Sequence, residues 1–334
     1  MFQVAANKRL GLWIVTAAVL GGLQVGCKTN SGDKKGASGA DSAQMVINNQ
    51  TTDQQIKAHL DSQTVKSETV IPAATDTTVT LPPADQAAAG KDVSNLPPAA
   101  DFNQDTTKKY IYLTFDDGPQ PGTMNVYHTL KALGVKGTFF MVGLHATFGK
   151  KMHEIVDSIR AGYPDILLAN HSYTHANGHY MSFYHHHEAC FEDFMKAQKS
   201  LGVERKYIRL PGNSGWVLST GIKAHDLVRP VCKMLDSAGY SVFGWDLEWS
   251  FKRDPAGPGS VPVQSADRMI RMVENAVNDH HTHKRNALVL LTHDRMFHRD
   301  NYRDSLYKVI NVLKTRHPEY VFETVENYPG AKRN

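Results

Sequence analysis

Cysteine is scarce in this chain of 334 residues, which contains only three. Cys27 lies near the start, and Cys190 and Cys232 are far apart in the remainder. A small domain held together by several disulfides is therefore excluded. Cys190 and Cys232 are compatible with a single disulfide in an oxidising compartment or with two buried free thiols.

The sequence also lacks a dense run of lysine and arginine. The formal net charge is only +4, and the basic residues are scattered, so we expect no nucleic-acid partner.

A long apolar run is missing as well. The stretch Leu10–Leu23 is too short to span a bilayer comfortably. It follows Lys8 and Arg9 and leads to Gly26-Cys27, as in an export signal over residues 1–27. The Gly-Cys ending resembles a bacterial lipobox, with plain secretion or a retained anchor as the alternatives. We expect a periplasmic or outer-membrane lipoprotein or a secreted protein, and membrane contact only through the N-terminal lipid.

Aromatic and long apolar residues are nearly absent from Lys28 to about Asp105. Such a segment buries too little surface to offset the entropy cost of ordering it. We predict a disordered linker over residues 28–106 and one catalytic domain over residues 107–330, which we expect to be monomeric.

Beyond Lys109, apolar runs alternate with segments of helical spacing. The predicted strands are Tyr110–Phe115, Thr138–Val142, Ile166–Ala169, Tyr207–Leu210, Ser241–Trp245, Ala287–Leu291 and Tyr320–Thr324. The predicted helices are Met124–Leu133, Lys151–Ala161, Phe191–Leu201, Ile222–Ala238, one beginning at Ser265, and Tyr302–Lys314. This alternation favours a parallel α/β fold. No glycine-rich dinucleotide turn follows the first strand, so we predict a distorted (β/α) barrel of about seven parallel strands.

Reactive side chains follow five of these strands. They are Asp116-Asp117, His171 with His175, Arg209, Asp246 and His293-Asp294. In such barrels the active site lies at the carboxyl ends of the strands. The sequence therefore predicts that one pocket collects these groups.

Two features indicate a metal site. His171 and His175 are four residues apart and converge on one ion if the loop between them turns helically; a chance surface pair is the alternative. The adjacent acids Asp116 and Asp117 repel each other unless a cation lies between them. A simple Asp-Gly-Pro turn is the other explanation of that pair.

Four short motifs resemble, in order, the signatures of the NodB-type polysaccharide deacetylases, carbohydrate esterase family 4. They are Thr114-Phe115-Asp116-Asp117-Gly118-Pro119, His171-Ser172-Tyr173-Thr174-His175, Arg209-Leu210-Pro211 and Leu291-Thr292-His293. The similarity covers roughly residues 109 to 325.

The resemblance implies a role for each matching residue. Asp117, His171 and His175 would bind Zn²⁺, or another divalent metal such as Co²⁺. Asp116 would be the general base, held in place by Arg209, and His293 the general acid for the leaving amine. A backbone N–H just after Pro211 would stabilise the oxyanion.

Two further site residues are expected from less regular motifs. Asp246 or Glu248 would orient His293, and Asp246 is favoured because it directly follows the strand. The family has an aromatic residue where this chain has Gly212, so Trp216 or an aromatic side chain from the His-rich insert 176–190 would form that part of the sugar-facing wall.

The resemblance implies removal of acetyl groups from N-acetylated sugars of a glycan polymer, with peptidoglycan as the expected substrate because of the export signal. An O-acetyl esterase acting on an acetylated polysaccharide and a catalytically inactive glycan-binding module are the alternatives.

Overall fold

The computed structural model describes residues 102–333. The predicted export signal and nearly all of the predicted linker lie outside these residues. Within the described part, none of the helices has both the length and the apolar character that a membrane crossing requires.

Twelve strands and seven α-helices make up the described part. The strands are β1 Lys109–Gly118, β2 Gly137–Met141, β3 Ile166–Asn170, β4 Tyr207–Ile208, β5 Gly215–Leu218, β6 Gly221–Ala224, β7 Ser241–Val242, β8 Leu247–Glu248, β9 Phe251–Arg253, β10 Ser260–Pro262, β11 Ala287–His293 and β12 Tyr320–Phe322. The helices are α1 Thr123–Leu133, α2 Lys150–Ala161, α3 Tyr180–His185, α4 His187–Ser200, α5 Arg229–Ser237, α6 Ala266–Asn278 and α7 Asp300–Arg316.

Ten strands form one curled sheet in the order β6-β5-β7-β4-β3-β2-β1-β11-β8, and β12 also pairs with β1. The pairs from β7 through β4, β3, β2 and β1 to β11 and β8 are parallel. All seven predicted strands are present, and the distorted (β/α) barrel is confirmed. The strands β5 and β6, an antiparallel hairpin, were not predicted.

The predicted helix Ile222–Ala238 is wrong in its first part. Residues 221–224 form β6, and the helix begins only at Arg229. Gly221 has a φ of 118°, which closes the turn between β5 and β6. Pro230 lies in the first helical turn, where its missing N–H costs nothing. The turn and the proline together place the helix start later than apolar spacing indicated.

The alternating side chains of β1 separate two parts of the core. Ile111, Leu113 and Phe115 pack with residues of the helices α1, α2, α6 and α7. Tyr110 and Tyr112 face the other side, into a cluster with Phe140, Trp216 and Phe243. Both faces of β1 are therefore buried, as is typical of a parallel strand. The strand is a rigid base for the acidic residues at its end.

Trp216 lies inside this second cluster and is only 5% exposed. Its ring stacks on His283, with the ring centroids 4.3 Å apart and the planes 7° from parallel. Cys190 and Cys232 are buried free thiols in a third cluster.

Gly122 lies immediately before α1 and is closely packed near the end of β1, so its substitution by alanine tests this packing. It has a φ of 105°, and an added Cβ would overlap the carbonyl oxygen of Asp294. We expect Gly122→Ala to lower the free energy of unfolding by about 3 kcal/mol or more in urea denaturation. Gly134→Ala is the matched control: Gly134 also has a positive φ, but its added Cβ meets nothing within 4 Å. It should cost only about 1 kcal/mol. Equal losses would contradict the predicted overlap.

His283 should make stability depend on pH. Burial, and then the charges of Lys223 and Lys284, lower the pKa of His283 from 6.5 to about 4. The neutral ring is favoured in the fold, so its contribution is present above pH 6.5 and is lost as pH falls towards 4. Since the ring is partly exposed, we expect this loss to be about 1 kcal/mol. His283→Phe keeps a stacking ring without a titrating group. Urea unfolding at pH 7 and pH 4.5 should show the smaller pH effect in the variant; equal pH effects in both proteins would contradict it.

Candidate active site

Asp116 and Asp117 lie at the carboxyl end of β1 and are only 3% and 4% exposed. Asp117 adopts a φ of 75°, a left-handed conformation that is uncommon outside glycine. Its backbone carbonyl accepts a hydrogen bond from Nδ1 of His145, 2.7 Å away. The main chain is therefore held in a conformation that leaves both carboxylates inside the protein.

The loop after β3 brings two imidazoles to this point. We expected a helical turn between the two histidines. The loop instead contains left-handed residues, since Ser172 and His175 have φ values of 70° and 51°. Asn170 accepts a hydrogen bond from the Ser172 N–H, and Asp193 accepts one from the Tyr173 N–H. These polar side chains stabilise a tight left-handed loop that turns both histidines inward.

Asp117, His171 and His175 form a candidate metal site. One ligand atom from each residue lies within 4.8 Å of the others. The Nε2 atoms of His171 and His175 are 3.4 Å and 3.0 Å from Oδ1 of Asp117. Among the described residues, this buried oxygen has no hydrogen-bond donor. A buried carboxylate oxygen without a donor costs free energy, and a cation there would satisfy it.

The tautomer of His171 also fits a ligand. Its Nδ1 lies 2.9 Å from the carbonyl oxygen of Arg209. A carbonyl can only accept, so Nδ1 carries the hydrogen and Nε2 is left to face Asp117. This arrangement is common for metal-binding histidines.

The electrostatics of the cluster favour positive charge. Burial alone would raise the pKa of Asp117, but His175 and Arg295 hold that pKa well below its usual range. Burial alone would lower the pKa of His171, but the carboxylates of Asp116 and Asp117 raise it. Both shifts have the same physical cause, since the pocket stabilises a cation beside two carboxylates.

Arg209 is completely buried and anchors Asp116. One guanidinium nitrogen is 3.0 Å from Oδ1 of Asp116. The other two donate to the carbonyls of Phe243 and Gly244, at 3.1 Å and 2.9 Å. The guanidinium lies 4.4 Å from the centre of the Phe140 ring. Arg209 thus fixes the Asp116 carboxylate relative to two other strands.

His293 lies opposite Asp116, since the two are paired residues on the parallel strands β11 and β1. Its Nε2 is 4.0 Å from Oδ2 of Asp117. The edge of Phe251 packs on its ring, with the centroids 4.7 Å apart. Burial lowers the pKa of His293 to about 4, although Asp117 and Asp116 oppose the shift.

Asp246 does not orient His293, contrary to our expectation. Its two carboxylate oxygens accept hydrogen bonds from the backbone N–H groups of His283 and Val289. Burial raises its pKa to about 6. Glu248 lies on β8, beside Leu291 of β11. Burial and then the charge of Asp116 raise the pKa of Glu248. Of the two acids, Glu248 is therefore the one coupled to the charge of Asp116.

Trp216 is also not part of the sugar-facing wall, because it is buried inside the barrel. An aromatic side chain of the insert lies against Gly212 instead. A Cβ on Gly212 would be 3.0 to 3.1 Å from three ring carbons of Tyr180. The ring of Tyr180 also packs edge-on against His175, with centroids 5.8 Å apart. The hydroxyl of Tyr184 donates to the Pro211 carbonyl at 2.7 Å and fastens α3 to this loop.

Of the two residues that follow His293, sequence reasoning missed Arg295 and named Asp294 at the strand end without giving it a role. Arg295 donates to Oδ2 of Asp117 at 2.9 Å. Asp294 is fully buried and accepts hydrogen bonds from Gln120 and Thr123, on the other side of the Gly118-Pro119 turn. Burial raises the pKa of Asp294 to about 7. Their position next to His293 at a strand end was the available signal.

Part of the chain is similar to known proteins. Residues 103–217 match the family model described as polysaccharide deacetylase. The chitin disaccharide deacetylase of Vibrio alginolyticus is 23% identical over 318 residues, covering 68% of this chain and 73% of that protein. The peptidoglycan-N-acetylglucosamine deacetylase of Bacillus cereus is 27% identical over 165 residues, covering 47% of this chain and 53% of that protein.

Among solved structures, a family 4 carbohydrate esterase from Streptomyces lividans in complex with acetate is 21% identical. It covers 67% of this chain and 96% of that chain, with a TM-score of 0.46. The family match over residues 103–217 includes Asp116, Asp117, His171, His175 and Arg209, which the fold brings together in one pocket. Residues 103–217, which hold these five side chains, are therefore similar to the polysaccharide deacetylase family.

Proposed function

We propose that the protein is a zinc-dependent hydrolase that removes acetyl groups from N-acetylglucosamine units of a cell-envelope glycan, with peptidoglycan as substrate. The observation that carries the proposal is the buried Oδ1 of Asp117, which faces two imidazole Nε2 atoms and has no hydrogen-bond donor among the described residues. The choice of glycan is supported by the predicted export signal and by the names of the two curated relatives. The chain spans 73% and 53% of those relatives.

Asp117, His171 and His175 would hold the ion. One carboxylate and two imidazoles are a ligand set typical of catalytic zinc, and cobalt accepts the same ligands. When bound, the ion would polarise the acetyl carbonyl and lower the pKa of a water molecule. Arg295 compensates the charge of the Asp117 carboxylate at Oδ2, which leaves Oδ1 for the ion.

Asp116 would act as the general base. Its Oδ2 lies 3.7 Å from Nε2 of His171, so the carboxylate is close to the proposed ion. Its other oxygen is occupied by Arg209, which fixes the position of the carboxylate. Asp116 would take the proton of the attacking water, and Arg209 would position it.

His293 would protonate the leaving amine. A low pKa makes the protonated ring a strong acid, so it would release a proton readily to a nascent amine. The ring is paired across the strands with Asp116, and the proton taken up at Asp116 would be passed on to it. Of the two acids considered for this region, Glu248 is the one coupled to the charge of Asp116, whereas both carboxylate oxygens of Asp246 accept backbone N–H groups.

The oxyanion would be stabilised by the backbone N–H of Gly212. This group donates to none of the described residues, and Pro211 is held in place by Tyr184. The ring of Tyr180 would form the sugar-facing wall beside it. We further propose that the protein acts as a monomer outside the cytoplasm and is held at the membrane, if at all, by a lipid on Cys27.

The first test separates metal binding from proton transfer. His171→Ala should abolish both zinc content and acetate release, because it removes a ligand. Asp116→Asn should retain zinc and lower kcat by about 10² to 10⁴-fold, since it removes only the base. Zinc is measured by atomic emission, and acetate is measured after incubation with purified sacculi, chitin oligomers and acetylated xylan. Loss of zinc in Asp116→Asn would contradict the division of roles, and release from xylan alone would favour an O-acetyl esterase.

A second test compares the two acids near His293. Glu248→Gln should lower kcat by about tenfold and change its pH profile, because a charge coupled to the proposed base Asp116 is lost. Asp246→Asn should mainly cost about 1 to 3 kcal/mol of stability, since one of two buried backbone N–H groups loses its acceptor. The reverse pattern, with catalysis impaired in Asp246→Asn alone, would restore our original expectation.

A further inference from the structure

The strands β9 and β10 form a separate two-stranded hairpin at the mouth of the candidate site. Phe251, the first residue of β9, contacts the ring of His293 and lies 5.3 Å from the guanidinium of Arg295. A sugar unit held at His293 would therefore lie next to this hairpin.

A buried acid holds the hairpin in place. Asp254 follows β9 directly and is only 4% exposed. One of its oxygens lies 2.7 Å from the guanidinium of Arg299 and 3.8 Å from Nε2 of His298. The other accepts the N–H of Ala256 at 2.8 Å. Because these contacts join the hairpin to the turn and helix after His293, the hairpin is a fixed part of the site wall.

Arg253 projects from this fixed strand. Alternate residues of a strand share a face, so Arg253 lies on the same face as Phe251, about 7 Å further along. The side chain is exposed. Among the described residues it has neither an ion-pair partner nor a hydrogen-bond partner for its guanidinium. An exposed guanidinium is thus presented on the face of the hairpin whose Phe251 packs on His293.

Lys252 offers the same charge on the opposite face of the strand. Its register partner on β10 is Val261, whereas that of Arg253 is Ser260. Lys252 is also exposed and has no ion-pair partner within the described part. Lys252 is therefore a matched control for Arg253, since both are exposed cations on β9 and they lie on opposite faces of the strand.

We propose that Arg253 is a specificity-determining residue that binds a carboxylate on a sugar unit near the one being deacetylated, so that the enzyme prefers acidic glycans to neutral ones. A guanidinium recognises a carboxylate through two parallel hydrogen bonds, which gives direction as well as charge. The inference rests on the proposed deacetylase function and adds the class of substrate.

The test compares neutral glycol chitin with carboxymethyl chitin of the same chain length, by acetate release from the full-length protein. The wild type should have the higher kcat/KM on carboxymethyl chitin, and the preference should weaken as salt is added. Arg253→Gln should lower the ratio of the two kcat/KM values about tenfold, mainly through KM. Arg253→Lys should give a ratio between those of the wild type and Arg253→Gln. Lys252→Gln should give a ratio within twofold of the wild-type value.

Three results would overturn the proposal. The wild type shows no preference for the carboxylated polymer; or Arg253→Gln lowers both kcat/KM values equally, as a structural role would; or Lys252→Gln lowers the ratio as much as Arg253→Gln does. If the wild type released no acetate from either polymer, the proposed function itself would fail and this inference with it. Turnover of both polymers without a preference would overturn only the role of Arg253.

Discussion

The site depends on the burial of two adjacent carboxylates at the end of β1. Removing two neighbouring negative charges from water is costly unless cations or donors compensate each of them. Arg209 compensates Asp116, while Arg295 and the imidazoles approach Asp117 from different sides. Each compensating group comes from a different strand end or loop. The burial of the two carboxylates therefore requires these strand ends and loops to lie close together. One oxygen of Asp117 remains without a donor, and it is the one that faces the histidines.

The parallel sheet makes this convergence possible. The strands β3, β2, β1 and β11 are paired side by side, with their carboxyl ends at one edge. A strand that is closely packed on both faces cannot shift its register without disrupting that packing, so the residue after it is placed precisely. The loops then add the fine geometry: Asn170 and Asp193 hold the left-handed turn of the histidine motif. Rigid strands set the position of each group, and polar loop contacts set its direction.

This division of labour explains what could be predicted from the sequence. The seven strands and the residues at their ends follow from apolar runs and strand–helix alternation, because burial on both faces of a strand is a local signal. The hairpin β5–β6 was missed since β6 overlaps the start of a segment with helical spacing, and only Gly221 and Pro230 mark the break. Trp216 and Asp246 were misassigned because proximity in sequence does not reveal whether a side chain points into the barrel or towards the mouth. An aromatic side chain from the insert was the other alternative, and Tyr180 lies against Gly212, but no local pattern distinguishes Tyr180 from the other aromatic residues of the insert.

The same reasoning separates the constant part of the site from the adjustable part. Asp116, Asp117 and Arg209 are buried and depend on one another, so changing any one of them leaves an uncompensated charge and costs several kcal/mol. Tyr180 and Arg253 are carried on α3 and the β9–β10 hairpin, which are fastened by their own contacts through Tyr184 and Asp254. Substitutions there would alter the proposed glycan-facing surface without changing the buried charges of Asp116, Asp117 and Arg209. Substrate preference can therefore change at the mouth while the chemistry at the end of β1 stays the same.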